Sequence, residues 1–132
     1  MKTYKIACIP GDGIGKEVIP GLLKTKRMMG FVFDGYWEDI GTVGSFWECN
    51  LTLTDPVPPF DFFDSKNPVY THALYLPTAK LNGCRTNRVL MASGCIVDDS
   101  EITRSVLGVR SVVRRGAQLE NVVMMGSDHF ER

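Results

Sequence analysis

The sequence predicts a mainly β protein whose C-terminal part is a parallel β-helix. From residue 89 onward, a small or apolar residue stands two positions before a larger apolar one, and this pair recurs about every six residues. The 132-residue chain is 44% hydrophobic, with 15 basic and 15 acidic side chains, which is typical of a folded domain and not of a disordered one. Proline-rich and glycine-rich stretches separate this repeat from the segments before it.

The same composition excludes several classes of protein. No apolar run approaches the roughly 20 residues that span a bilayer, and the N-terminus lacks the apolar core of a secretion signal. Zero formal charge argues against non-specific nucleic-acid binding. We therefore expect neither a nucleic-acid nor a membrane partner. The cysteines are far apart, which favours free thiols in a reducing compartment over a zinc site. They are Cys8, Cys49, Cys84 and Cys95.

Residues 1–30 form the first predicted piece. Tyr4–Ile9 is a predicted strand, Pro10–Gly15 a glycine turn and Lys16–Lys24 a short helix. The turn has G-x-G-x-G spacing, which differs from the G-x-G-x-x-G of dinucleotide sites. The segment MKTYKIACIPGDGIGKEVIP resembles the N-terminus of β-decarboxylating dehydrogenases, the tartrate and isopropylmalate dehydrogenase family, and the resemblance extends over about 24 residues. Because the catalytic residues of that family lie far downstream, we expect no NAD-dependent activity.

Residues 31–55 and 56–80 are the next two predicted pieces. Strand-like residues begin the first of them, and an acidic turn and a short helix over Val43–Asn50 follow, with Phe46 and Trp47 on its inner face. Residues 56–80 are a Pro/Phe-rich linker, which its prolines keep extended. We expect its phenylalanines to anchor it to a neighbouring surface, and Tyr70–Leu76 to be another extended segment. These phenylalanines are Phe60, Phe62 and Phe63.

Two stretches of these pieces, DGYWEDIGTVGSFWECNLTLTD and PVYTHALYLPTAKL, resemble glucose-1-phosphate adenylyltransferases (ADP-glucose pyrophosphorylases). They match the end of that family's catalytic domain and its linker. The resemblance implies that Asp39, with Glu38 beside it, is a ligand of the catalytic Mg²⁺. Carboxylate oxygens are the ligands that this hard cation prefers. The alternative is that both side chains are solvated turn residues.

Residues 81–132 carry the six-residue repeat. An antiparallel sheet is the alternative, but it would not keep this spacing. In a β-helix the larger members point inward, so Val97, Leu107, Val113 and Leu119 are predicted core residues, while Arg104, Arg110, Arg114 and Arg115 should point outward. The predicted pairs are Val89/Met91, Cys95/Val97, Ser100/Ile102, Ser105/Leu107, Ser111/Val113, Ala117/Leu119 and Val123/Met125.

The stretch RTNRVLMASGCIVDDSEITRSVLGVRSVVRRGAQLENVVMMGSDHFE extends the resemblance to the left-handed β-helix domain of the same family. This completes the predicted fold: a left-handed parallel β-helix, preceded by a small α/β remnant and an extended linker. In the family this domain helps tetramer assembly and contributes to an effector site for sugar phosphates or phosphoglycerate. The resemblance matches Lys80 to the effector side, and outward arginines, Arg110 and Arg114 among them, can hold phosphate bidentately. Solvated positions on the coil faces are the alternative.

The predicted function is the C-terminal regulatory and assembly part of a glucose-1-phosphate adenylyltransferase, in a chimera or a fragment. Its parent reaction converts ATP and glucose 1-phosphate to ADP-glucose and pyrophosphate, in glycogen or starch synthesis. We expect the chain alone to be inactive and to bind Mg²⁺ only weakly, because the family's nucleotide loop, second metal carboxylate and sugar-phosphate lysine find no match in residues 1–30. We also expect a truncated β-helix that self-associates, in the cytoplasm or a plastid stroma. The alternatives are a non-enzymatic β-helix interaction module and an NAD-dependent dehydrogenase fragment.

Overall fold

The computed structural model describes residues 21–22, 24–27 and 32–130. The chain divides into two units, Met1–Gly35 and Tyr36–Arg132. In the first unit the amides of Thr25 and Lys26 bond to the carbonyl of Leu22 and form a turn. The predicted strand and glycine turn, and most of the predicted helix before residue 24, lie outside the described residues.

The described part of the second unit has one helix followed by short strands. Each strand is too short to bury an apolar face alone, so the fold depends on stacking them. The elements are α1 (Val43–Thr52), β1 (Lys80–Asn82), β2 (Arg85–Met91), β3 (Ile96–Asp98), β4 (Glu101–Leu107), β5 (Val112–Val113), β6 (Gln118–Glu120) and β7 (Val123–Met124).

All the strand pairs are parallel and join each coil to the next. One sheet has the order β1-β3-β5, and the other has the order β2-β4-β6, with β7 also paired to β4. The second sheet folds at its middle, so the coils present three faces. We call them face 1 (80–82, 96–98 and 112–113), face 2 (85–87, 101–103 and 118–120) and face 3 (89–91, 105–107 and 123–124). The structure therefore has the parallel coiled architecture that the six-residue spacing predicts, and not an antiparallel sheet.

The corners between the faces are stacked residues in the left-handed backbone region. At the corner between faces 2 and 3, Arg88, Arg104 and Asn121 have φ of 56°, 43° and 55°. The corner between faces 1 and 2 stacks Gly83 and Asp99, with φ of 64° and 36°. Positive φ lets three strands close one coil within 16 or 17 residues, although it costs non-glycine residues about 1 kcal/mol or more each.

The interior is filled by two kinds of stacked column, as the paired pattern predicts. Large residues form one kind, with Val97, Ile102 and Leu107 at 0–1% exposure. Small residues form the other, and they include the buried Cys95 and Ser105. Leu119 is only half-buried, but it packs against this core as predicted. The apolar core therefore runs along the axis of the coils.

The last predicted pair, Val123/Met125, is wrong by one residue. Met124 pairs with Leu107 and packs against the core, whereas Met125 is 72% exposed. Ser105 Oγ accepts the amide of Val122 at 3.1 Å, and the carbonyl of Val122 accepts the amide of Val106 at 2.9 Å. These bonds place Val122 and Met124 in the pair and leave Met125 outside the ladder.

Helix α1 begins where the sequence predicts and runs two residues further, to Thr52. A capping box starts it: Ser45 N–H donates to Thr42 Oγ1 at 3.1 Å, and Thr42 N–H donates to Ser45 Oγ at 3.1 Å. The helix packs against β4 and β7, on the outer side of face 3, where Val106 and Val123 are half-buried. This apolar outer column is the reason that the helix docks on face 3.

Tyr70–Leu76 joins no sheet, which an extended segment does not require. Two expectations for the segments around α1 are wrong. Residues 32–42 contain no strand. The linker phenylalanines do not anchor the linker by burial, since Phe60 and Phe62 remain 42% and 44% exposed. Their rings meet edge to face at a centroid distance of 5.3 Å.

Among the residues that the structure describes, no helix is both long enough and apolar enough to cross a membrane.

Candidate functional site

The acidic turn before α1 holds the two predicted metal ligands. Glu38 and Asp39 are both exposed and lie outside any helix or strand. Asp39 Oδ1 accepts the amide of Gly41 at 3.0 Å, an arrangement that stabilises the turn. Among residues 21–22, 24–27 and 32–130, no group of three or more His, Cys, Asp or Glu side chains could hold a metal ion. The pair does not fit a preformed Mg²⁺ site, which needs more ligands around the cation, and we derive no catalytic step through it.

The three predicted effector residues lie on or beside face 1, with Lys80 in the first coil and Arg110 and Arg114 on either side of β5. Lys80 is exposed at the start of β1, in the first coil. Arg110 stands two residues before β5, at the corner that precedes face 1, with φ of 59°. Arg114 follows β5 and is exposed. The structure therefore brings these cations to one side of the coils without gathering them into one pocket.

Arg104 and Arg110 are less free than their predicted outward position implies. Arg104 Nη1 donates to Asn121 Oδ1 at 2.9 Å, and Arg110 Nη1 donates to the carbonyl of Ser127 at 3.0 Å. Both side chains point away from the core but bond to the next coil, so they are half-buried. Arg115 is exposed and pairs with Asp99, with Nη2 2.8 Å from Oδ2.

The corner between faces 2 and 3 makes two contacts with the segment around α1. Trp47 Nε1 donates to the carbonyl of Asn121 at 2.8 Å, and Arg88 Nη2 forms an ion pair with Asp55 Oδ1. That oxygen is buried and has no other partner among the described residues. Sequence reasoning missed both contacts. The only signal was the position of Arg88 directly before Val89, the first residue of the predicted repeat.

An open cavity of about 660 Å³ lies beside this ion pair. Arg88, Val89 and Leu90 of the first coil form one wall, and the chain after α1 forms the other, with Asp55 and Asp61 among its residues. Two carboxylates face one guanidinium, so the cavity has a net negative charge. Its walls are otherwise largely apolar, from Leu53, Pro56, Val57, Pro58 and Phe63.

The thiols that the structure describes are free, as predicted, and none is arranged as a nucleophile. Cys95 is fully buried, and its thiol donates to the carbonyl of Gly108 at 3.1 Å. Burial raises the pKa of this thiol, which keeps it protonated and unreactive. Cys49 lies 3.6 Å from the hydroxyl of Tyr36, and Cys84 donates to the carbonyl of Val97 at 3.1 Å. Cys8 lies outside the described residues.

Comparison with known families matches two parts of the chain. Residues 74–132 match the GLGC left-handed parallel beta-helix domain, which confirms the predicted fold and its handedness. Residues 11–56 match the nucleotidyl transferase domain. This second match begins inside the segment that resembles dehydrogenases, and neither match supports that resemblance.

Proposed function

Because the chain resembles glucose-1-phosphate adenylyltransferases in both its nucleotidyl transferase part and its left-handed β-helix part, we propose that it is a regulatory and assembly module of such an enzyme. In this proposal the coils bind phosphorylated effectors and associate with other subunits. The parent reaction, transfer of an adenylyl group from ATP to glucose 1-phosphate, needs residues beyond this module.

The contact between Trp47 and Asn121 is the observation that supports this proposal most strongly. Trp47 belongs to the nucleotidyl transferase match and Asn121 to the β-helix match. The two parts therefore pack against each other, and a change in the coils can reach the transferase part.

Effector binding is proposed at face 1, through Lys80 and Arg114. Both side chains are exposed, and ammonium and guanidinium groups bind phosphate oxygens by charge-assisted hydrogen bonds. Arg110 contributes less, since one of its nitrogens already donates to Ser127. Mg²⁺ at Asp39 and Glu38 belongs to the parent reaction, and in this chain we propose weak binding only.

Calorimetric titration with phosphoglycerate and with sugar phosphates tests this function. Lys80→Ala and Arg114→Ala should each weaken binding by about tenfold, which corresponds to about 1.4 kcal/mol. Arg115→Ala is the matched control, because its guanidinium is exposed but paired with Asp99. If both test variants bind as the unaltered chain does, the effector site is not at face 1. If no phosphorylated compound binds and the chain only self-associates, the non-enzymatic interaction module is the better assignment.

A further inference from the structure

The corner between β1 and β2 contains the sequence Asn82-Gly83. Both residues are exposed, and Asn82 is the last residue of β1. Asparagine is a thermolabile residue, because the backbone nitrogen of the next residue attacks its side-chain carbonyl carbon. Glycine has no Cβ to hinder this attack. A susceptible pair of residues therefore lies at the surface of the first coil.

The backbone nitrogen of Gly83 is available for this reaction. Its N–H donates to no acceptor among the residues that the structure describes. The Asn82 side chain makes one long hydrogen bond, from Nδ2 to Asp98 Oδ1 at 3.4 Å. Asn121 shows the opposite arrangement, since the amide that follows it in the chain donates to Ser105 Oγ at 3.1 Å. Folding therefore restrains the attacking nitrogen after Asn121 and leaves the one after Asn82 free.

We propose that Asn82 is a deamidation site of the folded chain and that its modification loosens the first coil. The nitrogen of Gly83 forms a bond to Cγ of Asn82, and the side-chain amide leaves as ammonia with the proton from that nitrogen. A five-membered succinimide ring remains. Water then cleaves one of the two ring C–N bonds that Gly83 makes, which leaves either aspartate or isoaspartate at position 82. This inference goes beyond the proposed function and does not depend on effector binding.

Isoaspartate alters the main chain at a point where hydrogen bonds close the first coil. The carbonyl of Asn82 accepts the amide of Asp99 at 2.7 Å, and residues 80–82 pair in register with residues 96–98. In isoaspartate this carbonyl becomes a free carboxylate, and the chain reaches Gly83 through the former side chain, which adds one atom to the main chain. The bond from Asp99 is therefore lost, and the register no longer matches on both sides of the corner.

Both products also place a new negative charge beside two others. Asp98 lies opposite Asn82 in the parallel pair and loses the amide donor at 3.4 Å. Asp99 is also close, because a Cβ at Gly83 would collide with its carboxylate. Arg115 pairs with Asp99 and balances one of these charges. Repulsion between the other two carboxylates acts in the same direction as the change in the main chain.

Ageing of the full chain at mildly alkaline pH, followed by peptide mass spectrometry, tests the site. Asn82 should gain the mass difference between an amide and a carboxyl group, and Asn121 should not. The folded chain should react within about tenfold of its rate in urea, a barrier difference of no more than about 1.4 kcal/mol. If Asn82 reacts in urea but stays unmodified in the folded chain, the fold protects this site and the proposal is overturned.

Amide hydrogen exchange before and after ageing tests the loosening of the first coil. The amide of Asp99 should exchange faster by about tenfold or more in the aged chain, because its hydrogen bond is lost. The amide of Val106, which bonds to the carbonyl of Val122 in the next coil, should keep its rate.

Two variants separate the chemistry from other effects of ageing. Asn82→Gln keeps an amide side chain but cannot form the five-membered ring, so ageing should leave the exchange of Asp99 unchanged. Fresh Asn82→Asp adds the charge without lengthening the main chain, and it should speed the exchange of Asp99 less than isoaspartate does. Unchanged exchange at Asp99 in the modified chain, or an equal effect of ageing in Asn82→Gln, would overturn the proposal.

Discussion

Leu107 pairs with Met124 of the next coil, which lies 17 positions later in the sequence. On its other side, Leu107 pairs with Met91 of the preceding coil, which lies 16 positions earlier. The two coils therefore differ in length by one residue while they keep the same core columns. Leu107 is 1% exposed between these two methionines, so it lies at the centre of the stack.

Leu107→Ala should lower the free energy of unfolding by about 2–5 kcal/mol, because it leaves a cavity between two coils. Urea unfolding measures this loss. Arg114→Ala is the control, since its exposed side chain should contribute less than about 0.5 kcal/mol. Similar losses in the two variants would contradict the inward and outward assignment. Arg110 would not serve as this control, because its guanidinium donates to the carbonyl of Ser127.

Ser105→Ala should cost about 1–3 kcal/mol, the range for leaving a buried polar group without its partner. The Ser105 hydroxyl donates to the carbonyl of Thr103 at 2.7 Å and accepts the amide of Val122 at 3.1 Å. Ser93→Ala removes an exposed hydroxyl and should be neutral in the same urea experiment. A neutral Ser105→Ala variant would show that Val122 does not need this bond to take its place in the core.

Trp47→Phe should destabilise the chain by about 0.5–1.5 kcal/mol through loss of its bond to Asn121. Trp37→Phe is the matched control, because Trp37 is similarly exposed, at 52% against 41%. Thermal or urea unfolding of the two variants compares them directly. Equal effects would mean that the indole bond does not fasten α1 to the coils.

Unfolding stability should fall at high pH because of Cys95. Burial raises the pKa of its thiol above its ordinary value, so the folded chain holds this proton more tightly than the unfolded chain does. The contribution is fully present below the thiol's unfolded pKa, and it is lost as the pH rises through the folded pKa. Cys95→Ala should therefore reduce the loss of stability measured between about pH 8 and pH 10. A Cys49→Ser variant should keep this loss of stability at high pH. If stability falls equally steeply with pH in the unaltered chain and in Cys95→Ala, Cys95 does not have this role.

The sequence predicts most of the coil interior because the physical requirement is local. Each inward position needs an apolar residue at a fixed spacing, and this requirement identifies Val97, Leu107 and Val113 without knowledge of the fold. The same reasoning fails at Met124 and Met125. Four apolar residues stand in a row at 122–125, so spacing alone cannot decide which of them face inward. The bond from Val122 to Ser105 decides it.

The corner contacts are hidden from the sequence for a different reason. Asp55 and Arg88 are 33 positions apart and belong to no shared motif, and only the folding of the linker against the first coil brings them together. The bond between Trp47 and the backbone of Asn121 depends on a carbonyl that every residue has. For Lys80 and Arg114 the sequence indicated charge, and the structure adds the face on which each lies.

Turnover by the chain alone tests the proposed function most directly. Release of pyrophosphate from ATP, with Mg²⁺ and glucose 1-phosphate present, can be followed in a coupled assay. A regulatory and assembly module should give no release above background, and Asp39→Ala should behave identically, because Asp39 and Glu38 lie in an exposed turn with no further metal-binding cluster in the described part of the chain. Turnover that disappears in Asp39→Ala would contradict the account, since it would place Asp39 in a complete catalytic site.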